Sequence, residues 1–169
     1  MLDKYLRPDF IFDTFRDVTP EFCKENGIKT IISDIDNTLV TYDDAEPTPE
    51  VMAWYKALYE SDVRVAFVSN NDWDRVTLFN KKIGTVALAK SGKPLCGGVR
   101  RAMMELGGEK ESTVLLGDQL LTDIMAAKRF GIRGIVVPPI KDKKSLFFRA
   151  QRASERPYMK KYLKEQGKA

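Results

Sequence analysis

Asp34 and Asp36 stand two apart in DIDNT, at the end of an apolar run. Further reactive groups follow at later runs: Ser69 closes VAFVS, Lys93 sits in SGKP, and Asp118 and Asp123 lie in GDQLLTD. Carboxylate, hydroxyl, ammonium and carboxylate groups gathered in one crevice suit phosphoryl transfer. A phosphate monoester is polyanionic, so a carboxylate can approach it only when a cation neutralises charge on both partners. The chain contains no histidine, which removes Ser-His-Asp triads, Cys-His pairs and histidine metal sites in one step. Carboxylates must therefore carry any acid-base work. Gly92-Lys93 lacks the GxxxxGK[ST] frame of a P-loop because Pro94 follows the lysine. Taken singly, these residues have plainer readings. Asp118 and Asp123 would suit the start of a helix, Ser69-Asn70-Asn71 would suit a turn, and a lone lysine is usually a solvated charge. Their joint occurrence, each after an apolar run, favours the catalytic reading.

Such groups can meet only if the runs are strands of one sheet. KTIISD (29–34), VRVAFVS (63–69), TVLLGD (113–118) and GIVVP (134–138) read as buried strands, with a weaker one at TVALA (85–89). Segments of helical character, 49–61, 72–83, 94–107 and 119–131, lie between them. Thr48-Pro49 suits a helix start, and Gly107 and Gly131 suit helix ends. This alternation predicts an α/β fold, a doubly wound parallel sheet of Rossmann-like type, whose ligands bind beyond the carboxyl ends of the strands. The 169 residues read as one domain. Residues 1–28 form an N-terminal helical extension, and residues 141–169 form a basic C-terminal helical tail interrupted at Pro157.

DIDNT, Ser69, Lys93 and GDQLLTD resemble, in order, the four motifs of the haloacid dehalogenase (HAD) superfamily, and the resemblance spans about residues 29–138. It implies that Asp34 is a nucleophile forming an aspartyl-phosphate. Asp36 would protonate the leaving oxygen and then deprotonate the attacking water. The resemblance also implies a Mg²⁺ ion held by Asp34, Asp118 and the backbone carbonyl of Asp36, with Asp123 either assisting the metal or holding Lys93. Lys93 and Ser69 would contact the phosphoryl oxygens, with Thr38 and Asn70 in support. More narrowly, DIDNTLV with GDQLLTDI resembles the YqeG-like branch, subfamily IIIA, and the related phosphatidylglycerophosphate phosphatases. Many members of the superfamily insert a cap domain after the first or second motif. Here only VTYDDAEPTP separates the first motif from the next helix, so the cap is absent or minimal. By that resemblance an uncovered site admits a bulky substrate, a protein, nucleic acid or lipid-headgroup phosphate such as phosphatidylglycerophosphate, or needs a partner as its lid.

Charge is unevenly spread. Residues 141–169 hold ten Lys/Arg against three Asp/Glu, within a chain whose net charge is +4. Lys141, Lys143, Lys144, Arg149, Arg152, Arg156, Lys160, Lys161 and Lys164 interleave with Leu146, Phe147, Phe148, Tyr158 and Tyr162. That composition suits contact with an anionic membrane or with RNA, and equally an amphipathic helix packed on the body with its charges in water. The chain shows no apolar run near membrane-spanning length and no signal peptide, and reads as cytoplasmic, with peripheral membrane contact through the tail. Cys23 and Cys96 match neither a metal site nor a disulfide framework. Two other functions fit parts of the chain. One is an RNA-, ribosome- or membrane-binding assembly protein with a vestigial site. The other is a phosphoacceptor signalling domain, which Asp36 argues against because signalling needs a long-lived acyl phosphate. Composition carries no sign of oligomeric state.

Overall fold

The apolar runs become parallel strands of one sheet: β1 (Phe10–Ile11), β2 (Thr30–Ser33), β3 (Arg64–Val68), β4 (Ala87–Leu88), β5 (Thr113–Gly117) and β6 (Arg133–Val136). Their order across the sheet is β1-β6-β5-β2-β3-β4, every pair parallel. This computed structural model describes residues 2–141 and 145–167. Helices α3 (Pro49–Glu60), α4 (Trp73–Asn80), α5 (Gly97–Glu105) and α6 (Met125–Phe130) make the crossovers. Side chains alternate along the strands, so each central strand feeds two cores. Ile31, Val65, Phe67, Val114 and Leu116 pack with Trp54 and Leu58 of α3 and Val76 and Phe79 of α4. Ile32, Ala66, Val68 and Leu115 pack on the opposite face with Val99 and Ala102 of α5 and Ala127 and Phe130 of α6. The chain therefore winds both ways from β2, and the crevice this opens lies at the carboxyl ends of β2 and its neighbours.

Local chemistry fixes the helix ends. Thr48 Oγ1 accepts the Val51 N–H at 3.3 Å ahead of Pro49, and Asp72 caps α4 by accepting the Arg75 N–H at 2.9 Å. Gly131 ends α6 in the left-handed region at φ 84°, a conformation that costs glycine little.

Several expectations need revision. The N-terminal segment contains helices α1 (Asp3–Leu6) and α2 (Pro20–Glu25), but Phe10–Ile11 between them joins β6 as an edge strand. Two residues show no readable alternation, and the strand owes its place to Asp9, whose carboxylate accepts the Gly134 N–H and the Lys128 ammonium, each at 2.6 Å. The helix expected over 119–131 opens as a wide π-helical turn, Leu120–Ile124, before α6 begins. The tail is not interrupted at Pro157: α7 (Leu146–Glu165) runs through it. Pro157 and Ala153 are both exposed, so the carbonyl that loses its helical partner faces water, which lowers the cost. Lys143, Lys144 and the side chain of Phe147 lie outside what is described.

Of the possible uses of the tail, the structure shows packing on the body. Tyr162 is 1% exposed and meets Leu6, Ile11, Leu120 and Ile124, with Tyr158 beside it. Glu165 accepts from Arg7 at 2.6 Å and Lys161 donates to Asp3 at 2.8 Å. These tyrosines, candidate membrane or base-stacking anchors by sequence, are thus engaged within the protein. Because Pro157 breaks the hydrogen-bond ladder on the exposed side only, Pro157→Ala should stabilise the chain by about 1 kcal/mol or more, read as a raised urea midpoint at unchanged m-value.

Candidate active site

Strand pairing brings the acidic residues together. Ser33 of β2 lies opposite Leu116 of β5, and the Asp34 N–H donates to the Leu116 carbonyl at 2.9 Å. Asp34 and Asp118 consequently leave adjacent strand ends side by side. The wide turn after Gln119 then carries Asp123 back beneath them, its Oδ2 accepting the Gln119 N–H at 3.1 Å. Gly117 makes room for this, since a Cβ there would sit 2.3 Å from Asp123 Cγ. Carboxylate oxygens of Asp34, Asp118 and Asp123 all lie within 4.8 Å of one another, and all three side chains are buried.

Lys93 reaches into this cluster from the loop after β4. Its Nζ stands 2.9 Å from Asp34 Oδ1 and 2.8 Å from Asp123 Oδ1, and donates to the Val68 carbonyl at 2.7 Å. Asn70 clamps the backbone of Lys93 from both sides: its amide donates to the Lys93 carbonyl and accepts the Lys93 N–H, each at 2.9 Å. The Thr38 hydroxyl donates to Asp118 Oδ1 at 3.3 Å. Ser69 Oγ accepts the Asn71 N–H at 3.0 Å.

Asp36 is buried but does not join the acidic cluster. Its Oδ1 accepts from Arg75 Nη2 at 2.9 Å and Nε at 3.1 Å, while Oδ2 accepts from the Asn71 amide at 3.1 Å. Arg75 also donates to the carbonyls of Ala45 and Thr41, tying the loop after the first motif to α4. A cavity of about 500 Å³ opens over these groups. Asp34, Asp36, Ser69, Asn70 and Lys93 line it, as do Tyr42 from that loop and Phe148 and Gln151 from α7.

Burial pushes the Asp34 carboxyl up to about 7; Lys93 pulls it down and Asp123 and Asp36 push it further up. Asp118 rises to about 8, again through burial first, with Arg152 opposing and the neighbouring carboxylates reinforcing. Burial alone would lower the Lys93 ammonium, but Asp123 and Asp34 outweigh it and leave it raised. Burial and mutual repulsion thus disfavour ionising Asp34 and Asp118 by more than Lys93 and Arg152 offset. The cluster's donors are carboxylate oxygens only, the chemistry that suits a hard divalent cation such as Mg²⁺.

Comparison with known proteins agrees. Residues 90–147 match the family model described as HAD-hydrolase-like. The probable phosphatase YqeG of Bacillus subtilis is 37% identical over 156 residues, covering 92% of this chain and 91% of that protein. The chain belongs to the HAD superfamily. Solved structures at low identity share the fold. The cobalt-bound deoxy-D-mannose-octulosonate 8-phosphate phosphatase of Haemophilus influenzae aligns with TM-score 0.52 at 18% identity, over 85% of this chain and 92% of that one. An uncharacterized protein from Listeria monocytogenes aligns with TM-score 0.55 at 17% identity, over 70% of this chain and 85% of that one.

Of the residues read from the sequence, Asp34, Asp36, Ser69, Asn70 and Lys93 line the cavity, while Asp118, Asp123 and Thr38 lie buried behind it, joined to it through Asp34 and Lys93. Sequence reasoning missed Arg75, which sits on a polar helix face three residues after the α4 cap with no distinguishing spacing. It also missed that Arg152 reaches the site, having counted it only as one charge of a basic tail. Arg152 pairs with Asp118 through its guanidinium, and Glu155 joins it at 3.2 Å.

The raised Asp34 pKa has a measurable sign. The unfolded carboxyl ionises near 4, whereas the folded one holds its proton to about 7, so in that window the unfolded state binds fewer protons and stability falls as pH rises. In a chelating buffer, Asp34→Asn should therefore raise Tm at pH 8 by about 2–4 °C, the shift that ~1 kcal/mol makes in a chain of this size. The gain should shrink toward pH 4. Equal melting temperatures at both pH values would refute this electrostatic account.

Proposed function

We propose that this HAD phosphatase hydrolyses phosphate monoesters through an aspartyl-phosphate on Asp34, with Mg²⁺ as its cofactor. The observation that carries the proposal is the buried group of Asp34, Asp118 and Asp123 with Lys93 between Asp34 and Asp123, reached from the cavity through Asp34 and Lys93. Asp34, Asp118 and the Asp36 carbonyl would hold the ion. Bound there, it would neutralise charge on the phosphoryl group and on Asp34 and so allow the two anions to meet.

The remaining work falls to side chains. Asp34 attacks phosphorus and displaces the alcohol, and water then cleaves the acyl phosphate, splitting one displacement into two. Asp36 gives its proton to the departing oxygen and takes one from the water. Its contacts with Arg75 and Asn71 hold it in the lining of the cavity that Asp34 also lines. Lys93 neutralises the phosphoryl oxygens and Ser69 hydrogen-bonds them. Asp123 acts chiefly on Lys93, because Lys93 and the Gln119 N–H already engage its two oxygens. Thr38 orients Asp118, and Asn70 sets the lysine loop.

For the substrate we favour a phosphate on a bulky carrier, with phosphatidylglycerophosphate as the leading candidate. Among the described residues no inserted cap domain stands between the strands, and the site lies at their open ends. Among the described residues no helix is long and apolar enough to cross a membrane. The exposed Arg149, Arg156 and Lys160 of α7 would instead meet an anionic surface from the cytoplasmic side. A purely binding role is less well supported, since it gives no reason to bury so many charges in one crevice.

Phosphate release from p-nitrophenyl phosphate and from phosphatidylglycerophosphate in mixed micelles, with Mg²⁺ or with EDTA, tests the proposal. Activity should require the ion, fall at least about 1000-fold in Asp34→Asn, and fall about 100-fold or more in Asp36→Asn. Undiminished turnover in Asp34→Asn would overturn the mechanism. Turnover of the aryl phosphate alone would overturn the substrate assignment.

A further inference from the structure

Cation balance in the crevice is completed from an unexpected direction. Lys93 serves Asp34 and Asp123, while the third carboxylate, Asp118, is served by Arg152 of α7. The guanidinium donates to Asp118 twice, to the side-chain Oδ2 and to the backbone carbonyl. The Asp118 side chain is fully buried, and that of Arg152 is 20% exposed. Around this pair, Gln151 donates to Gln119 at 2.6 Å and Glu155 accepts the Leu121 N–H at 2.9 Å. The first half of α7 is therefore fastened to the segment that carries Asp118 and Asp123.

A divalent ion bound to Asp118 would stand about 2 Å from its oxygen, within a few ångströms of a guanidinium held on the same carboxylate. In a buried setting two such cations repel strongly. Glu155 offers Arg152 another place, since its Oε2 is already 3.2 Å from Arg152 Nη1. The helix has the means to yield as well. Its second half is anchored separately by Tyr162, Lys161 and Glu165, and Pro157 interrupts the hydrogen-bond ladder between the halves.

We propose that Arg152 is a positioning residue that acts as an internal counter-cation: it holds Asp118 until a divalent cation displaces it toward Glu155, so that cation binding and the docking of the first half of α7 oppose each other. The inference rests on the reading of Asp118 as a metal ligand. It extends that reading by making the C-terminal helix, whose Phe148 and Gln151 line the cavity, responsive to the ion. Linkage makes the effect reciprocal: whatever weakens the Arg152 contact tightens the cation site.

The test uses the full chain and Mn²⁺ alone as probe, with binding followed by calorimetry and electron paramagnetic resonance. Arg152→Gln should bind Mn²⁺ at least about tenfold more tightly than the wild type, and Arg152→Lys, which keeps the charge, should stay within about threefold of it. In wild-type protein, Mn²⁺ should speed amide exchange over residues 146–156 and leave 158–165 unchanged. This second measurement decides the matter alone if Arg152→Gln does not fold. If the wild type binds Mn²⁺ but Arg152→Gln binds it equally or more weakly, or exchange in α7 does not respond, the counter-cation role is overturned and the metal site stands. Absence of Mn²⁺ binding in wild type and Arg152→Gln alike overturns the metal reading, and this inference with it.

Discussion

Placing three carboxylates in one buried crevice is the constraint on which the rest of this protein depends. The parallel pairing of β2 with β5 makes it unavoidable, because Asp34 and Asp118 follow directly on paired strands. At separations near 5 Å and an effective dielectric of about 20, each pair of unit charges repels by about 3 kcal/mol, before any cost of desolvation. Such repulsion is relieved by protons, as the raised Asp34 and Asp118 carboxyls show, or by cations. Lys93 and Arg152 supply them, and they come from opposite ends of the architecture: the loop after the edge strand β4 and the C-terminal helix α7.

Much of the surrounding detail follows from delivering those two charges. Asn70 grips the Lys93 backbone on both sides, so that the ammonium arrives between Asp34 and Asp123 rather than in solvent. Gly117 and the wide turn at Leu120–Ile124 bring Asp123 close against the end of β5, where it faces the lysine. π-helical turns of this kind recur at functional sites because they re-aim a side chain without ending the helix. Asp36 is treated differently. Arg75 and Asn71 engage both its oxygens, which offsets part of its repulsion on Asp34 and joins Asp36 to the loop that carries Tyr42.

Legibility in the sequence tracked the range of the interaction. The strands were readable because each buries both faces and so appears as an unbroken apolar run, and the order of motif residues at their ends could be read with them. Helix starts such as Thr48-Pro49 were readable for the same reason: their chemistry is local. What escaped was set by distant partners. Phe10–Ile11 is a strand only because Gly134 and Asp9 fix it to β6, and the role of Gly117 depends on Asp123 folding back. Arg75 and Arg152 look like ordinary surface charges until the chain closes and sets each beside a carboxylate 39 or 34 positions away. Pro157 misled for the opposite reason: a sound local rule was outweighed by anchoring on both sides of it.

The basic tail therefore has two parts with different tasks. Residues beyond Pro157 bury Tyr162 and pair with Asp3 and Arg7, which fixes where the helix lies. Residues before it contribute Phe148 and Gln151 to the cavity and Arg152 to the acidic cluster. The cavity opens at the carboxyl ends of the strands, and the chain's own C-terminal helix lines part of that opening through Phe148 and Gln151. A cover attached this way differs from an inserted domain in one respect. It is held at its near end by the Arg152 contact and at its far end by packing and surface ion pairs, and only the near contact lies beside the acidic cluster, where a divalent ion could compete for it. Packing of Tyr162 and the pairs to Asp3 and Arg7 thus keep the far half of the helix on the protein, and under the proposed exchange the Arg152 contact would govern how closely the near half covers the site.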